Sequence, residues 1–558
     1  MTGGILDVAD ALLDDALALH GDDGATAADL QAWRTRLHEP LRLGIAGMVK
    51  AGKSTLLNAL IGERIAPTDA GECTRIVTWY RYGATPRIDA VRRSGRTSSL
   101  ALARIDGRLR LELRGIEPDD IDHIDIRWPA LSLRSLVLID TPGIESVSER
   151  ISNHSLSFLT PATSGPSDAD AIVYLLRHLH PSDMSFLSAF RDVDSGPGNS
   201  VNALAVLSRA DEVGGGRLDA LLSARGIAAR YRELPEMRPL AIGVMPVAGL
   251  IAESARCMAE RDFVALREIA GWDRDQRERL LLSADRFVRE GAATLGSRAR
   301  RGLIDRFGIT GIRLGVALVR GGATTSQRLA EQLVVQSGLE ELRSIVRRQF
   351  ASRAAALKVR AFKAFLDDLL LERPRPGQDE SLRASLDALV DGSHELRELD
   401  LLAAIRVTGV GLPPAQTDEL ARILGADGTD LADRVGARAD ASHAEIAVLA
   451  ADLRDSWKRI SEQPDTPRSA VRACSIAFRT LDGILSEVGA THRRGATSDV
   501  ETASGPRSGG RKQRREQGEG EDAGVGERER AQRHPVTPRP GEFQRDDAQP
   551  AEGDQRSA

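Results

Sequence analysis

A glycine-rich octapeptide near the start of the chain has the residue types and spacing of a phosphate-binding loop. It reads Gly47-Met48-Val49-Lys50-Ala51-Gly52-Lys53-Ser54 and fits the pattern G-x-x-x-x-G-K-S. Its two glycines let the backbone curl so that N–H groups, continuing through Thr55, face phosphate oxygens. Lys53 would bridge the β- and γ-phosphates of a nucleotide, and the Ser54 hydroxyl would ligate Mg²⁺.

A second motif, Asp140-Thr141-Pro142-Gly143, follows the apolar run 136–139. The Asp140 carboxylate can hold Mg²⁺ through water, and the Gly143 N–H can face the γ-phosphate. Between the two motifs lies the loop 67–74, which ends in Thr74. We interpret Thr74 as a switch threonine, with its hydroxyl on Mg²⁺ and its backbone near the γ-phosphate and the attacking water. The alternative is an ordinary loop threonine before a strand, and the position between the motifs favours the functional interpretation.

A third motif, Ser208-Arg209-Ala210-Asp211, follows the apolar run 204–207. The Asp211 carboxylate can accept hydrogen bonds from the ring N–H and exocyclic amine of guanine, a pair of donors that adenine lacks. Arg209 would lay its stem along the base, beside Ser208, and Val247 in the stretch 245–249 would flank it. A solvated loop aspartate is the alternative. The three motifs together predict a site for GTP or GDP with Mg²⁺.

The elements that must position these motifs are buried strands separated by helix-length spacers. We predict strands at 43–46, 76–80, 136–139, 171–175, 204–207 and 241–244. This order predicts an α/β P-loop head with a doubly wound, mostly parallel sheet. Long helical stripes after residue 250 predict an all-α elongated bundle or stalk. The predicted divisions are N-terminal helices at 1–40, the head at 41–250, the helical region at 251–489 and a disordered tail at 490–558.

The composition excludes several functional classes. With 41% apolar residues in 558 the chain can build roughly two or three cores, and a net charge of −5 gives no basic field for nucleic acid. Three cysteines without metal-site or disulfide spacing are typical of the reducing cytoplasm. The N-terminus does not resemble a signal peptide, and no apolar run approaches the roughly 20 residues of a membrane span. We therefore expect a cytoplasmic protein whose membrane contact is peripheral.

The order and spacing of the motifs resemble the large GTPases of the dynamin superfamily. Within it, the chain looks like the bacterial dynamin-like proteins of the actinobacterial isoniazid-inducible Ini group. The resemblance rests on 47–60, 67–74, 140–143 and 209–211, together with the stretch 303–313. It implies heads that associate when nucleotide binds, as a homodimer or with a paralogous dynamin-like chain. It also implies peripheral binding or remodelling of lipid at the inner face of the cell membrane.

Two positions depart from related GTPases and affect the expected rate. Ras-like proteins place a water-orienting glutamine where this chain has Ile144, which cannot polarise water. Eukaryotic dynamins use a glutamine and a serine in the loop where this chain has Val49 and Lys50. We expect slow basal hydrolysis, stimulated by dimerisation, with water held by the Thr74 backbone. Lys50 would supply the missing positive charge, or else it is a solvated lysine over the nucleotide.

Three functions remain open from the residues and the resemblance. The first is a dynamin-like mechanochemical GTPase at the membrane, and the second is a regulatory GTPase whose helical region docks a protein partner. The third, an Era-like translation GTPase, needs a basic RNA-binding domain, against which the acidity and the long helices argue. For lipid contact the apolar turn 407–412 and the stretch 309–319 are candidates, with core packing as the alternative for both.

Overall fold

A twisted sheet organises the first half of the chain. The computed structural model describes residues 3–67, 76–105, 108–110, 112–113, 115–143, 168–190, 201–289 and 294–502. Within these residues nine strands form one sheet in the order β11-β10-β9-β1-β8-β2-β7-β3-β4, and β5 pairs with β6 alone. The strands are β1 (Leu41–Gly47), β2 (Val77–Tyr82), β3 (Arg87–Arg92), β4 (Thr97–Ser99), β5 (Ala103–Ile105), β6 (Arg108–Arg110), β7 (Ile121–Trp128), β8 (Leu136–Asp140), β9 (Ala171–Leu176), β10 (Ala203–Ser208) and β11 (Val244–Val247).

The strands that carry the predicted motifs all run in one direction. β11, β10, β9, β1 and β8 pair in parallel, whereas β2 is antiparallel to β8 and β3 is antiparallel to both β7 and β4. The expected doubly wound, mostly parallel sheet is therefore confirmed. Because the carboxyl ends of parallel strands meet at one edge, the ends of β1, β8, β10 and β11 share a crevice where ligands bind in such folds.

Helices cover both faces of the sheet and continue as the all-α part that the sequence predicted. In chain order they are α1 (Gly3–His20), α2 (Gly24–His38), α3 (Lys53–Ile61), α4 (Pro181–Ala189), α5 (Ala220–Glu233), α6 (Gly249–Arg256), α7 (Glu260–Ala270), α8 (Arg274–Leu280), α9 (Ala284–Arg289), α10 (Ser297–Arg320), α11 (Ser326–Gln336), α12 (Leu339–Ile345), α13 (Ala354–Glu372), α14 (Asp379–Gly392), α15 (His394–Val407), α16 (Pro414–Ile423), α17 (Leu431–Val435), α18 (His443–Ser461) and α19 (Arg468–Thr502). A π-helical turn and a 3₁₀ turn join α12 to α13.

Side chains alternate along the buried strands and divide the interior into two cores. On β9, Val173 joins a core formed with α1, α2, α3 and helices α12 to α15, while Tyr174 joins the core on the opposite face with α4 to α11. This period of two is what a strand buried on both faces produces. The second core includes residues on both sides of position 250, up to Leu333, so the boundary predicted at residue 250 falls inside it.

A third core lies apart from the sheet. It joins the end of α15 to helices α16 to α19 and is centred on the fully buried Trp457. The described residues up to Thr497 form one compact unit. The predicted tail begins at residue 490, whereas α19 continues to Thr502, and 503–558 lie outside the described residues.

The N-terminal helices are bound to the head by buried charges. The Arg36 guanidinium donates to Asp170 Oδ1 at 2.8 Å, and the other oxygen of Asp170 accepts from the Arg42 backbone N–H at 2.9 Å. On the opposite side of this contact, the Lys358 ammonium of α13 donates to the Glu39 carbonyl oxygen. Together, α1 and α2 connect the start of β1 to the long helix α13.

The fold corrects the bounds of one predicted strand and locates the two candidate membrane segments. The last strand was predicted at 241–244 but lies at Val244–Val247, where it pairs only with β10 among the described strands. An edge strand tolerates Pro246, which has no N–H to donate. The membrane candidate 309–319 lies within α10, where Ile312 and Val316 are buried in the second core. In the other candidate, 407–412, Val407 is exposed and Val410 is buried.

Candidate nucleotide site

The phosphate-loop residues connect β1 to α3 in a tight left-handed turn. Gly47 has a φ of +143°, and a Cβ at this position would lie 2.4 Å from the Leu175 carbonyl oxygen, so only glycine fits here. Lys50 (φ +62°) and Gly52 (φ +95°) also lie in the left-handed region. Such a turn directs successive backbone N–H groups into one concavity, the arrangement that binds phosphate.

The Lys53 ammonium lies inside this turn. Its Nζ donates to the carbonyl oxygens of Gly47 at 3.0 Å and Met48 at 3.2 Å. Burial lowers the pKa of the ammonium, and the charge of Asp140 offsets part of that shift. Because its hydrogen-bond partners among the described residues are neutral carbonyl oxygens, a phosphate would gain a charge-assisted bond from this group.

Asp140 at the end of β8 faces the first turn of α3. Its Oδ2 accepts from Ser54 Oγ at 3.0 Å, while its Oδ1 is buried and has no hydrogen-bond partner among the described residues. Burial raises the pKa of Asp140 to about 6, against the opposing effects of the Lys53 charge and the Ser54 hydrogen bond. A carboxylate oxygen without a partner beside a hydroxyl oxygen is a donor set that fits Mg²⁺ completed by water and phosphate.

The residues after Asp140 lie directly against the phosphate loop. Thr141 Oγ1 donates to the Ile45 carbonyl oxygen at 2.9 Å and thereby holds the turn beside β1. A Cβ at Gly143 would lie 2.4 Å from Val49 Cγ2 and 2.9 Å from Val49 Cα. A side chain at position 143 would therefore displace one of the two loops.

The third motif forms the wall of a cavity beside the phosphate loop. Asp211 is 6% exposed, and burial raises the pKa of its carboxyl group. Ser208 Oγ donates to the Leu176 carbonyl oxygen at 3.1 Å, and Arg209 Nη2 donates to the Lys50 carbonyl oxygen at 2.9 Å. Arg209 thus joins the base-side motif to the phosphate loop through the backbone.

The cavity has a volume of about 150 Å³. It is lined by Ala51, Gly52, Thr55, Leu56, Leu175, Val206, Ser208, Arg209, Asp211, Glu212, Val247, Gly249 and Leu250. Val247, predicted to flank the base from a loop, is instead the last residue of β11 and lines the cavity from there. An apolar cavity with a buried carboxylate at its wall suits a flat heterocycle that presents hydrogen-bond donors.

The structure places every predicted site residue except one at this edge of the sheet. The side chains of Val49 and Lys50 are exposed at the tip of the phosphate loop. Thr74 lies outside the described residues, and so does Ile144.

Sequence reasoning gave no role to Asn58, which holds the backbone of Ile65 and Ala66. Its Nδ2 donates to the Ala66 carbonyl oxygen at 3.1 Å and to Glu253 Oε1 at 3.0 Å. Its Oδ1 accepts from the backbone N–H groups of Ile65 and Ala66. A polar residue in the otherwise apolar run of α3 was the signal that could have identified it.

The helical region also contacts the site through the backbone. Arg343 of α12 donates to the Leu60 carbonyl oxygen in the last turn of α3 at 2.8 Å. The Ala248 N–H, next to Val247, donates to the Ser337 carbonyl oxygen at 2.9 Å. Nothing in the sequence pattern predicted these long-range contacts, since each uses a main-chain acceptor.

Comparison with known proteins agrees with this geometry. A family model described as the Dynamin family matches residues 43–181. The isoniazid-induced protein IniC of Mycobacterium tuberculosis is 39% identical over 458 residues, which span 82% of this chain and 92% of the relative. The chain belongs to the bacterial dynamin-like proteins, close to the Ini group. It therefore carries a dynamin-family GTPase domain, and the family binds GTP and GDP, generally with Mg²⁺.

Other similarities of this dynamin-like chain are shorter or weaker. The isoniazid-induced protein IniA of Mycobacterium tuberculosis is 30% identical over 156 residues, 26% of this chain and 24% of the relative. The bacterial dynamin-like protein of Nostoc punctiforme is 27% identical over 151 residues, 25% of this chain and 21% of the relative. A solved oligomerised bacterial dynamin pair aligns over 90% of this chain and 77% of that chain at 14% identity, with a TM-score of 0.28.

Proposed function

We propose that this chain binds and hydrolyses GTP, self-associates through its heads and acts in membrane binding, remodelling or maintenance at the cytoplasmic face. The observation that carries the nucleotide part is the meeting of three charged groups at one edge of the sheet. Lys53 lies in the first turn of α3, Asp140 ends β8, and Asp211 follows β10. Lys53 and Asp211 are buried, and burial raises the pKa of Asp140. These three groups have the charges that the phosphates, the metal and the base of Mg²⁺-GTP require.

Each site residue has a proposed role. The loop from Gly47 to Thr55 cradles the phosphates, with Lys53 as the charged donor. Ser54, Asp140 and Thr74 hold Mg²⁺, which would neutralise charge on the phosphates when bound. Gly143 directs its N–H to the γ-phosphate. Around the base, Asp211 accepts from guanine, and the group Ser208, Arg209 and Val247 lines its pocket.

The proposed basal rate is low because side chains that position water in related GTPases are replaced. Ile144 cannot polarise water, and Val49 replaces the glutamine of eukaryotic dynamins. The Thr74 backbone would hold the attacking water instead. Lys50 is exposed at the tip of the loop, where its ammonium can reach a γ-phosphate or the surface of a second head. Pairing of heads would then raise turnover.

The membrane and partner parts rest on the dynamin family. The proposed partner is a second copy or a paralogous dynamin-like chain, joined through the heads. Contact with lipid would be peripheral: among the described residues no helix has the length and apolarity needed to cross a bilayer. The contacts of Arg343 with α3 and of Ser337 with Ala248 support coupling between nucleotide and helices.

The alternative is a regulatory GTPase whose helical region docks a protein partner without remodelling lipid. One experiment separates the two: GTP turnover of the full chain measured against protein concentration, with and without anionic liposomes. The first function predicts specific activity that rises with concentration and rises again with liposomes. If the turnover rate is the same with and without liposomes, the alternative is supported. If no phosphate is released at any protein concentration, both functions are contradicted.

A further inference from the structure

The loop that presents Asp211 has little regular structure to hold it in place. A short 3₁₀ segment covers Ala210–Gly215, but Val213 within it is extended. The next three glycines, Gly214, Gly215 and Gly216, all have φ between +61° and +74°. A glycine-rich loop is free to adopt many conformations, so an outside contact must fix the position of the Asp211 carboxylate.

That contact comes from helix α10, some hundred residues away in the chain. Thr310 is 6% exposed, and its hydroxyl shares its single proton between the carbonyl oxygens of Asp211 at 2.9 Å and Gly216 at 3.1 Å. One side chain therefore closes the loop at both ends. A Cβ at Gly216 would lie 2.5 Å from Thr310 Oγ1, so the loop and the hydroxyl approach each other only because this residue is glycine.

Arg313, one helical turn later, reinforces the contact. Its Nη1 donates to the Gly216 carbonyl oxygen, while Nε and Nη2 donate to the carbonyl oxygens of Leu281 and Leu282, each at 2.8 Å. All three of these acceptors are backbone groups. The guanidinium therefore joins the guanine-side loop to the segment after α8.

Helix α10 is itself braced, so it can serve as a fixed support. Gly308, with φ +62° and ψ 173°, interrupts the helix just before Thr310. Ahead of this kink, the Arg306 guanidinium pairs with Asp262 of α7 at 2.6 Å, and its carbonyl oxygen accepts from Ser254 Oγ of α6. Helix α6 follows β11 directly and contributes Leu250 to the cavity wall. The contacts of α10 with α6 and α7 thus connect the Asp211 loop to the wall of the cavity.

We propose that Thr310 and Arg313 are positioning residues for guanine selection, which they control by fixing the backbone of the loop that carries Asp211. This inference rests on the proposed GTP-binding function. A carboxylate that recognises two donors must be held within about half an ångström of its correct position. Without the Thr310 hydroxyl, the Asp211 and Gly216 carbonyl oxygens lose the one donor that they share, and the loop can relax away from the base.

The test compares binding of GDP and of IDP, which lacks the exocyclic amine of guanine, by calorimetry in Mg²⁺ buffer. Thr310→Val keeps the shape of the side chain and removes the hydroxyl, whereas Thr310→Ser keeps the hydroxyl. We expect Thr310→Val to weaken GDP binding about tenfold and IDP binding less, so that the preference for GDP falls. Thr310→Ser should retain both affinities within about twofold of the unsubstituted chain.

A matched control removes a threonine that supports structure elsewhere. Thr325 Oγ1 caps α11 by accepting from the Arg328 N–H at 3.2 Å, so Thr325→Val should lower stability without changing the GDP preference. If Thr310→Val does not fold, Arg313→Gln takes its place, with the same expected fall in preference.

Three results would overturn the inference. One is a wild-type GDP affinity in Thr310→Val, and another is an equal loss for GDP and IDP, which indicates a general structural effect. Failure of the unsubstituted chain to bind GDP would reject the proposed function first, and the inference with it.

Discussion

Two buried carboxylates in this chain have opposite surroundings. Asp140 in the head has one hydrogen bond, from Ser54, and an oxygen without a partner among the described residues. Glu398 on α15 accepts from Arg434 at 2.7 and 3.1 Å and from Thr480 at 2.6 Å, and lies 3.4 Å from the His394 ring nitrogen. Among the described residues, Asp140 thus has one hydrogen-bonded carboxylate oxygen, whereas both carboxylate oxygens of Glu398 accept hydrogen bonds.

The two pKa values express this difference. Burial raises the pKa of both groups, and for Asp140 it prevails and brings the value to about 6. For Glu398 the hydrogen bond with His394 and the charge of Arg434 outweigh burial and hold the pKa at about 2. Because the hydrogen bonds of the Glu398 carboxylate are made within the chain, its role is structural. A buried Asp140 left incomplete is available to an external cation.

The largest expected effect is on activity without a matching effect on stability. Lys53→Ala should reduce GTP turnover about a thousandfold, because it removes the charged donor to the phosphates. The free energy of unfolding of the nucleotide-free chain should change little, since among the described residues the Lys53 ammonium donates only to the carbonyl oxygens of Gly47 and Met48. Phosphate release and urea unfolding measure the two quantities.

Lys458→Ala is the control for this prediction. Lys458 is an exposed lysine on α18, far from the described strand ends, and its removal should alter neither quantity. If Lys53→Ala retains normal turnover, the buried ammonium of the head is structural after all.

Glu398→Gln should lower stability without lowering turnover, the opposite of Lys53→Ala. Removing one partner of a buried ion pair leaves Arg434 uncompensated and should lower the free energy of unfolding by about 3 kcal/mol at pH 7. GTP turnover per folded molecule should remain unchanged. Urea unfolding followed by circular dichroism measures the loss of unfolding free energy. A variant as stable as the unsubstituted chain would contradict the structural role of Glu398.

The loss caused by Glu398→Gln should also depend on pH. The folded pKa of about 2 lies below the ordinary value of 4.5, so the ionised group stabilises the fold fully above pH 4.5. This contribution should disappear as the pH falls from 4.5 towards 2. Unfolding of both proteins at pH 7, 4 and 2.5 would show the difference between them shrinking, whereas a constant difference would contradict the ion pair.

Asp140→Asn should act with the opposite sign on stability. The folded pKa of about 6 lies above the ordinary 3.8, so the ionised carboxylate destabilises the nucleotide-free fold, fully so above pH 6. Asparagine should therefore stabilise that form by up to about 3 kcal/mol at pH 7 and not at all below pH 3.8. The same variant should lose the Mg²⁺ dependence of GDP binding. Destabilisation at pH 7 would show that Asp140 is satisfied within the chain, like Glu398.

The smallest expected effect is at Arg209. Arg209→Lys keeps the stem that would lie along the base and loses the bond of Nη2 to the Lys50 carbonyl oxygen. Since this contact is exposed, GDP affinity should fall only about threefold. Calorimetry measures it, and a loss of more than about thirtyfold would mean that Arg209 has a larger role than joining two loops.

The fold class and the family were predictable from the sequence for local reasons. Strands buried on both faces produce continuous apolar runs, and the phosphate loop must follow one strand and precede a helix, so 43–60 contains its own structural context. The edge strand β11 was placed three residues early, because Pro246 resembles a strand terminator when its neighbours are unknown. The boundary at 250 followed the end of the strands, whereas the core continues to Leu333.

The sequence by itself thus determined the motifs that we propose for phosphate, metal and base, since each is a short run whose residue types suit one chemistry. Only the tertiary structure decided which distant groups hold those motifs in place. Thr310 was part of a quoted stretch with no assigned role, and Asn58 belonged to an apolar helix. Their acceptors include backbone carbonyls, which every residue possesses, so side-chain pattern alone carries no record of such pairings.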